Sequence, residues 1–168
     1  MQRSAGFQLS RALAAGTAAS LASTLVVAWR SRRETGSAWG GINAISHWIF
    51  GRRAYALDAP SPLQSSLSLL IHQASSLFWG VLYAALLGNV RANRRPEALF
   101  AERTAPTATD AVAAAAIVSG LAAFTDFRLT PPRLTPGFEH RLSRGSVALV
   151  YLAVAYGLAA AGVAPSRR

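Results

Sequence analysis

His72, Ser76, Trp79 and Tyr83 fall at i, i+4, i+7 and i+11, so in a helix they share one face. An imidazole, a hydroxyl, an indole and a phenol in one line could relay a proton or hold a ligand. The alternative is plain interhelical hydrogen bonding, with the two rings filling an interface. Asp126 is the acid to set beside them. It stands at the end of an apolar run, where a helix dipole opposes a negative charge by about 0.3–1 kcal/mol. Something must offset that cost, and the sequence offers Arg128, another arginine of the following loop, or His72. Asp110, at the start of the same run, follows Thr107 and Thr109 and reads as an N-terminal cap.

Other polar residues fall on the His72 side of the chain. In segment 39–51, Asn43, Ser46 and His47 share one helical face, while Ile42, Ile45 and Ile49 share the other. Arg133, Glu139 and His140 lie in a proline-rich stretch further on. The candidate pocket therefore comprises His72, Asp126, Ser76, Trp79, Tyr83, His47, Asn43, Arg133, Glu139 and His140. His47, His72, His140, Asp126 and Glu139, with Asp58, also supply nitrogen and oxygen ligand types suited to zinc or iron. No close ligand spacing such as H-E-x-x-H joins them, so a metal site is the third reading. Haem held by two histidines fits poorly, because only His72 lies inside a long apolar run. No cofactor is expected and no catalytic residue is assigned. There is no cysteine, no G-x-S-x-G elbow and no glycine-rich phosphate loop.

The elements that position these residues are long and apolar. Ala12–Trp29, Ser66–Val90 and Gly145–Ser166 carry no charge, and 107–127 is interrupted only by Asp110 and Asp126. About 20 apolar helical residues cross the hydrocarbon layer. Hydrophobic residues make up 52% of the 168-residue chain and charged residues 14%, with a mean hydropathy of +0.28. The expectation is an all-α integral membrane protein, a single-domain bundle of four spans at about 12–29, 66–90, 107–127 and 145–164. The run at 12–29 exceeds the apolar core of a signal peptide and ends in Trp29-Arg30, so it reads as a retained helix.

Four crossings put loops 1 and 3 on one side, together with every histidine. Trp39–Gly51 in loop 1 reads as a short interfacial helix. Segment 128–144 holds Pro131-Pro132 and Pro136-Gly137, which exclude a continuous helix and make the loop rigid. Loop 2, 91–106, reads as a polar connector. Gly16, Ser20 and Thr24, and later Ala153, Gly157 and Ala161, form small-residue faces that permit close helix approach. All 17 basic residues are arginines, confined to tails and loops, and the net charge is +10. No basic stripe on a soluble fold is present, so nucleic acid is not an expected partner. Eight arginines on one side against nine on the other give the positive-inside rule little to act on. Both termini are taken as cytoplasmic.

The runs Asn43-Ala44-Ile45-Ser46-His47-Trp48, His72-Gln73-Ala74-Ser75-Ser76-Leu77-Phe78-Trp79 and Arg133-Leu134-Thr135-Pro136-Gly137-Phe138-Glu139 resemble those of small bacterial inner-membrane proteins with four predicted spans. The resemblance covers most of the chain from about Trp39 onward. It implies the membrane class, a bacterial origin and an inner-membrane location, and carries no activity, cofactor or catalytic residue. The expected role is non-enzymatic: a bundle that packs with itself, with lipid or with a membrane partner. The alternative is passage of protons or a small solute through the pocket around His72 and Asp126. A metal protein or membrane enzyme comes third.

Overall fold

A bilayer leaves each backbone N–H and C=O to be satisfied within its own segment, so apolar runs of this length become helices. The computed structural model describes the backbone of residues 2–94 and 107–163, and the side chains of 8–90 and 107–163. Most of loop 2, residues 95–106, lies outside the described residues. Four long helices form: α1 (Gln2–Thr35), α4 (Pro62–Arg94), α5 (Ala108–Phe124) and α6 (Arg144–Val163). Between α1 and α4 lie two short helices, α2 (Ala38–Ala44) and α3 (His47–Phe50). Among the described residues there is no strand. Segments Gln8–Thr35, Pro62–Val90, Ala108–Leu129 and Arg144–Val163 are long and apolar enough to cross a membrane. The protein is an all-α, four-helix integral membrane bundle.

The long helices form a ring in which α1 packs on α4 and α6, and α5 packs on α6 and, over a shorter stretch, on α4. Small residues set these distances. A Cβ on Gly157 would lie 2.5 Å from the Ala19 Cα, and one on Gly80 would lie 2.5 Å from the Ala12 carbonyl oxygen. A Cβ on Gly16 would meet the Leu77 Cα at 2.7 Å. The small faces expected on the first and last spans are thus spent inside the bundle, Gly16 against α4 and Gly157 against α1.

Helix ends explain where the spans stop. Gly36, with φ 80°, closes α1, its N–H reaching the Arg32 carbonyl at 3.2 Å. Arg30 and Arg33 lie 5.2 and 5.9 Å from the Trp29 ring, so α1 continues in helical form through its arginines. Glu34 accepts the Ser143 N–H at 2.6 Å and is bonded by Ser146 and by Arg30, which joins the end of α1 to the start of α6. A carboxylate there complements the positive end of the α6 dipole. At the start of α5 the cap is Thr107 rather than Asp110. The Thr107 hydroxyl accepts the Asp110 N–H at 3.1 Å and donates to the Asp110 carboxylate at 2.8 Å.

Loop 1 departs from the single helix expected over Trp39–Gly51. It breaks at Ile45-Ser46, where the Ser46 hydroxyl donates to the Asn43 carbonyl at 2.7 Å. Residues 40–47 are buried, α2 packs against α1 and α4, and Ile42 and Ile45 join a core with Val27, Phe138, Leu142 and Val150. Ile49 alone of the three isoleucines is exposed. Asn43 is a clamp rather than a pocket residue. Its amide donates to the Leu57 and Ala59 carbonyls at 3.0 and 2.9 Å and accepts from Ser65 at 2.7 Å.

Loop 3 is not a continuous helix, as the prolines require. A π turn (Thr125–Leu129) is followed by 3-10 turns at Pro132–Leu134 and Phe138–His140. Gly137 has φ 91° and its Cα packs on loop 1; a Cβ there would lie 2.6 Å from His47 Nδ1 and clash with the Ala44 carbonyl. Trp48 donates its indole N–H to the Thr135 carbonyl at 2.8 Å. Arg141 donates to the Tyr55 carbonyl at 2.7 Å and pairs with Asp58. Loops 1 and 3 therefore form one cap over the same end of the bundle.

Candidate functional site

Under that cap the seam between α4 and α5 opens into a pocket of about 350 Å³. At the far end the two helices meet through Tyr83, Leu87, Ala114, Ala115 and Val118. Near the loops they separate, with α6 behind them. The α4 wall carries His72, Ser75, Ser76, Phe78 and Trp79, and the α5 side carries Ala122, Thr125 and Asp126. Val150, Tyr151 and Val154 of α6 form the back, and Trp48, Leu134, Pro136 and Phe138 form the roof. Trp79 also packs on the lower core, so it is the floor. Phe78 is 58% exposed beside the seam, on the surface that faces hydrocarbon in a bilayer.

The pocket brings together His72, Ser76, Trp79 and Asp126, the centre of the site expected from sequence. It does not join His72 to Asp126. The Asp126 carboxylate accepts a hydrogen bond from the Tyr151 hydroxyl at 2.6 Å. Among the described residues no arginine or histidine nitrogen comes within 4.0 Å of it. The expected cationic partner is thus replaced by a phenol. The dipole cost is reduced because the π turn carries the helix beyond Asp126 to Leu129, moving the carboxylate away from the terminal carbonyls.

His72 is bonded across the bundle to α1. The Ser23 hydroxyl donates to the Ala19 carbonyl at 2.7 Å, and His72 Nε2 lies 2.8 Å from the same oxygen. A hydroxyl has one proton to give, so the imidazole N–H is the donor to Ser23. In the neutral ring this leaves Nδ1 as a bare acceptor. Tyr83, the last member of the helix stripe, is not at the pocket; it is 2% exposed in the lower core, with its hydroxyl 3.4 Å from the Ala111 carbonyl.

The remaining candidates gather elsewhere, within the loop cap. His47 stacks near Tyr55 and His140, with centroids 5.3 and 6.4 Å away, and Tyr55 lies 4.4 Å from His140. His47 Nδ1 donates to the Ala44 carbonyl at 3.0 Å, which leaves Nε2 buried without a partner. Glu139 sits 3.8 Å from His140, and its second carboxylate oxygen is also buried without a hydrogen bond. Burial, and then the negative charge of Glu139, push the Tyr55 phenol above its ordinary pKa. Arg133 is exposed and belongs to neither group. Among the described residues no three acids or histidines converge as a metal site would require.

Sequence reasoning missed Tyr151 and Ser23, the two residues that bond the pocket's polar groups. Depth was the available signal for Tyr151, which stands as far inside its run from Gly145 as His72 does from Ser66. Ser23 carries no such mark among the many serines. Neither a family model, nor a curated protein, nor a solved structure matches this chain, which leaves the geometry of the pocket as the ground for a functional reading.

Proposed function

We propose that this protein binds a small amphipathic molecule that enters from the bilayer through the α4–α5 seam. The observation that carries this reading is an aromatic-walled pocket of about 350 Å³, within the range of small-molecule sites, with only a few polar groups at its wall. Such a lining suits a lipid or a lipid-soluble solute. The pocket ends at Trp79, above a packed core, which favours a binding site over a conduit through the bundle. The role is non-enzymatic, and lipid is the first partner. We place the protein in a bacterial inner membrane with both termini cytoplasmic.

The test is purification in mild detergent followed by native mass spectrometry. Wild type should carry a bound lipid-like molecule near one per chain, and Ser75→Phe, which puts a ring into the pocket from α4, should lose it. Wild type free of any such molecule, or Ser75→Phe retaining it, would overturn the reading. Orientation is tested separately with an impermeant thiol reagent, easily applied to a chain without cysteine. Arg133→Cys and Arg52→Cys, both in exposed positions of the loop cap, should react from outside intact cells, and a cysteine at position 93 should not.

A further inference from the structure

The pocket is furnished for one kind of charge. Its Asp126 carboxylate accepts from the Tyr151 hydroxyl, and among the described residues no arginine lines the cavity although the chain holds 17. A carboxylate next to hydrocarbon without a cation is costly, and the cost falls when a counter-charge arrives. The other strongly polar group, His72, donates its Nε2–H to the Ser23 oxygen, and in its neutral form keeps a lone pair at Nδ1. The pocket thus offers acceptors and negative charge. Around them stand Trp48, Phe78, Trp79, Phe138 and Tyr151, rings whose faces attract cations.

Resting on the proposal that the pocket binds small molecules from the bilayer, we infer that its ligand is a lipophilic monocation, with Asp126 as counter-ion and the aromatic rings as the cage. The bulk of the molecule fills the apolar wall between α4 and α5. Its positive centre lies against the free edge of the Asp126 carboxylate, while Tyr151 holds that carboxylate in place from behind. A neutral amphiphile gains the same apolar burial and lacks the charge attraction; an anion meets Asp126 as repulsion.

Tetraphenylphosphonium and tetraphenylborate, nearly identical in shape and opposite in charge, separate these cases. Equilibrium dialysis of both against the delipidated full chain in neutral detergent reads the preference directly. The chain's net charge of +10 favours the anion everywhere else on the molecule, so a cation preference can arise only locally. Wild type is expected to bind the phosphonium saturably and at least tenfold more tightly than the borate. Asp126→Asn should remove that preference, Asp126→Glu should keep it, and Asp110→Asn, at the far end of α5, should leave it unchanged. If Asp126→Asn does not fold, Ser75→Phe decides, because a preference generated in the pocket must vanish when the pocket is filled. Equal binding of the two ions, or a preference that survives Asp126→Asn or Ser75→Phe, overturns the cation assignment. Loss of bound lipid in Ser75→Phe alongside equal ion binding would leave the pocket reading standing and refute only its charge. Failure of both ions to bind, with no lipid on wild type, would sink both.

Discussion

The two ends of this bundle are built on opposite rules. At the end away from loops 1 and 3, Ala15, Ala19, Ala114, Ala115, Leu87, Val118 and Leu158 interlock around Tyr83, and glycines bring backbones into contact. At the loop end α4 and α5 draw apart, and the space is filled by inserted loop segments and by a cavity. The first end is held by dispersion and small-residue packing, which is how helices associate when lipid is as apolar as their side chains. The second is held by directional bonds: Asn43 to two carbonyls, Trp48 to Thr135, Arg141 to Tyr55 and Asp58, and Glu34 to the start of α6. A close-packed interface has few alternatives in shape. A hydrogen-bonded cap can surround a hole without filling it, and so the pocket is found at that end.

The sharpest way to break the comparison is Gly157→Leu. The added side chain meets the backbone of Ala18 and Ala19, which cannot yield as a side chain does. Overpacking of this sort costs about 1–3 kcal/mol or more, and we expect the monodisperse species to disappear in size-exclusion chromatography. A folded Gly157→Leu protein of wild-type thermal stability would remove the claim that this interface admits no slack.

Asn43→Ala should cost slightly less and act only on the cap. It takes the acceptor from the Ser65 hydroxyl, which keeps its bond from the Ser61 N–H, and the donor from two carbonyls, a loss of about 1–3 kcal/mol. Amide hydrogen exchange should rise in residues 38–60 and stay unchanged in the lower half of α5. Uniform loosening of both ends would contradict the division.

Trp48→Phe keeps the aromatic roof and removes one hydrogen bond, to Thr135, worth about 1 kcal/mol. Exchange should increase around Thr135 while any bound ligand is retained. Loss of the ligand here would mean that the roof depends on that bond and not on its rings. Asp58→Asn is the smallest change. Asp58 is 52% exposed, so its pair with Arg141 should contribute less than about 1 kcal/mol, and Arg141 keeps its bond to the Tyr55 carbonyl. Thermal midpoints of wild type and Asp58→Asn should agree closely.

Apolar length alone determined the class: uncharged runs of 18 residues or more are long enough to cross a bilayer, and in lipid a helix satisfies its backbone within its own segment. The 3.6-residue period placed His72, Ser76 and Trp79 on an inward face, and the count of crossings put them on the side of loops 1 and 3. Proline chemistry forbade a helix through 128–144. Periodicity says which side of a helix a residue occupies and nothing about which neighbour meets it. That was decided by the ring order of the helices and by their unequal packing. Hence Asp126 meets Tyr151 and not His72, His72 meets Ser23, and Asn43 closes loop 1 instead of lining a site. Tyr83 shares the helix face of His72 yet lies in the packed end, because α4 is in contact with α5 there and has separated from it one turn higher. The cavity itself, a space between elements distant in the chain, has no trace in any single segment and exists only in the tertiary structure.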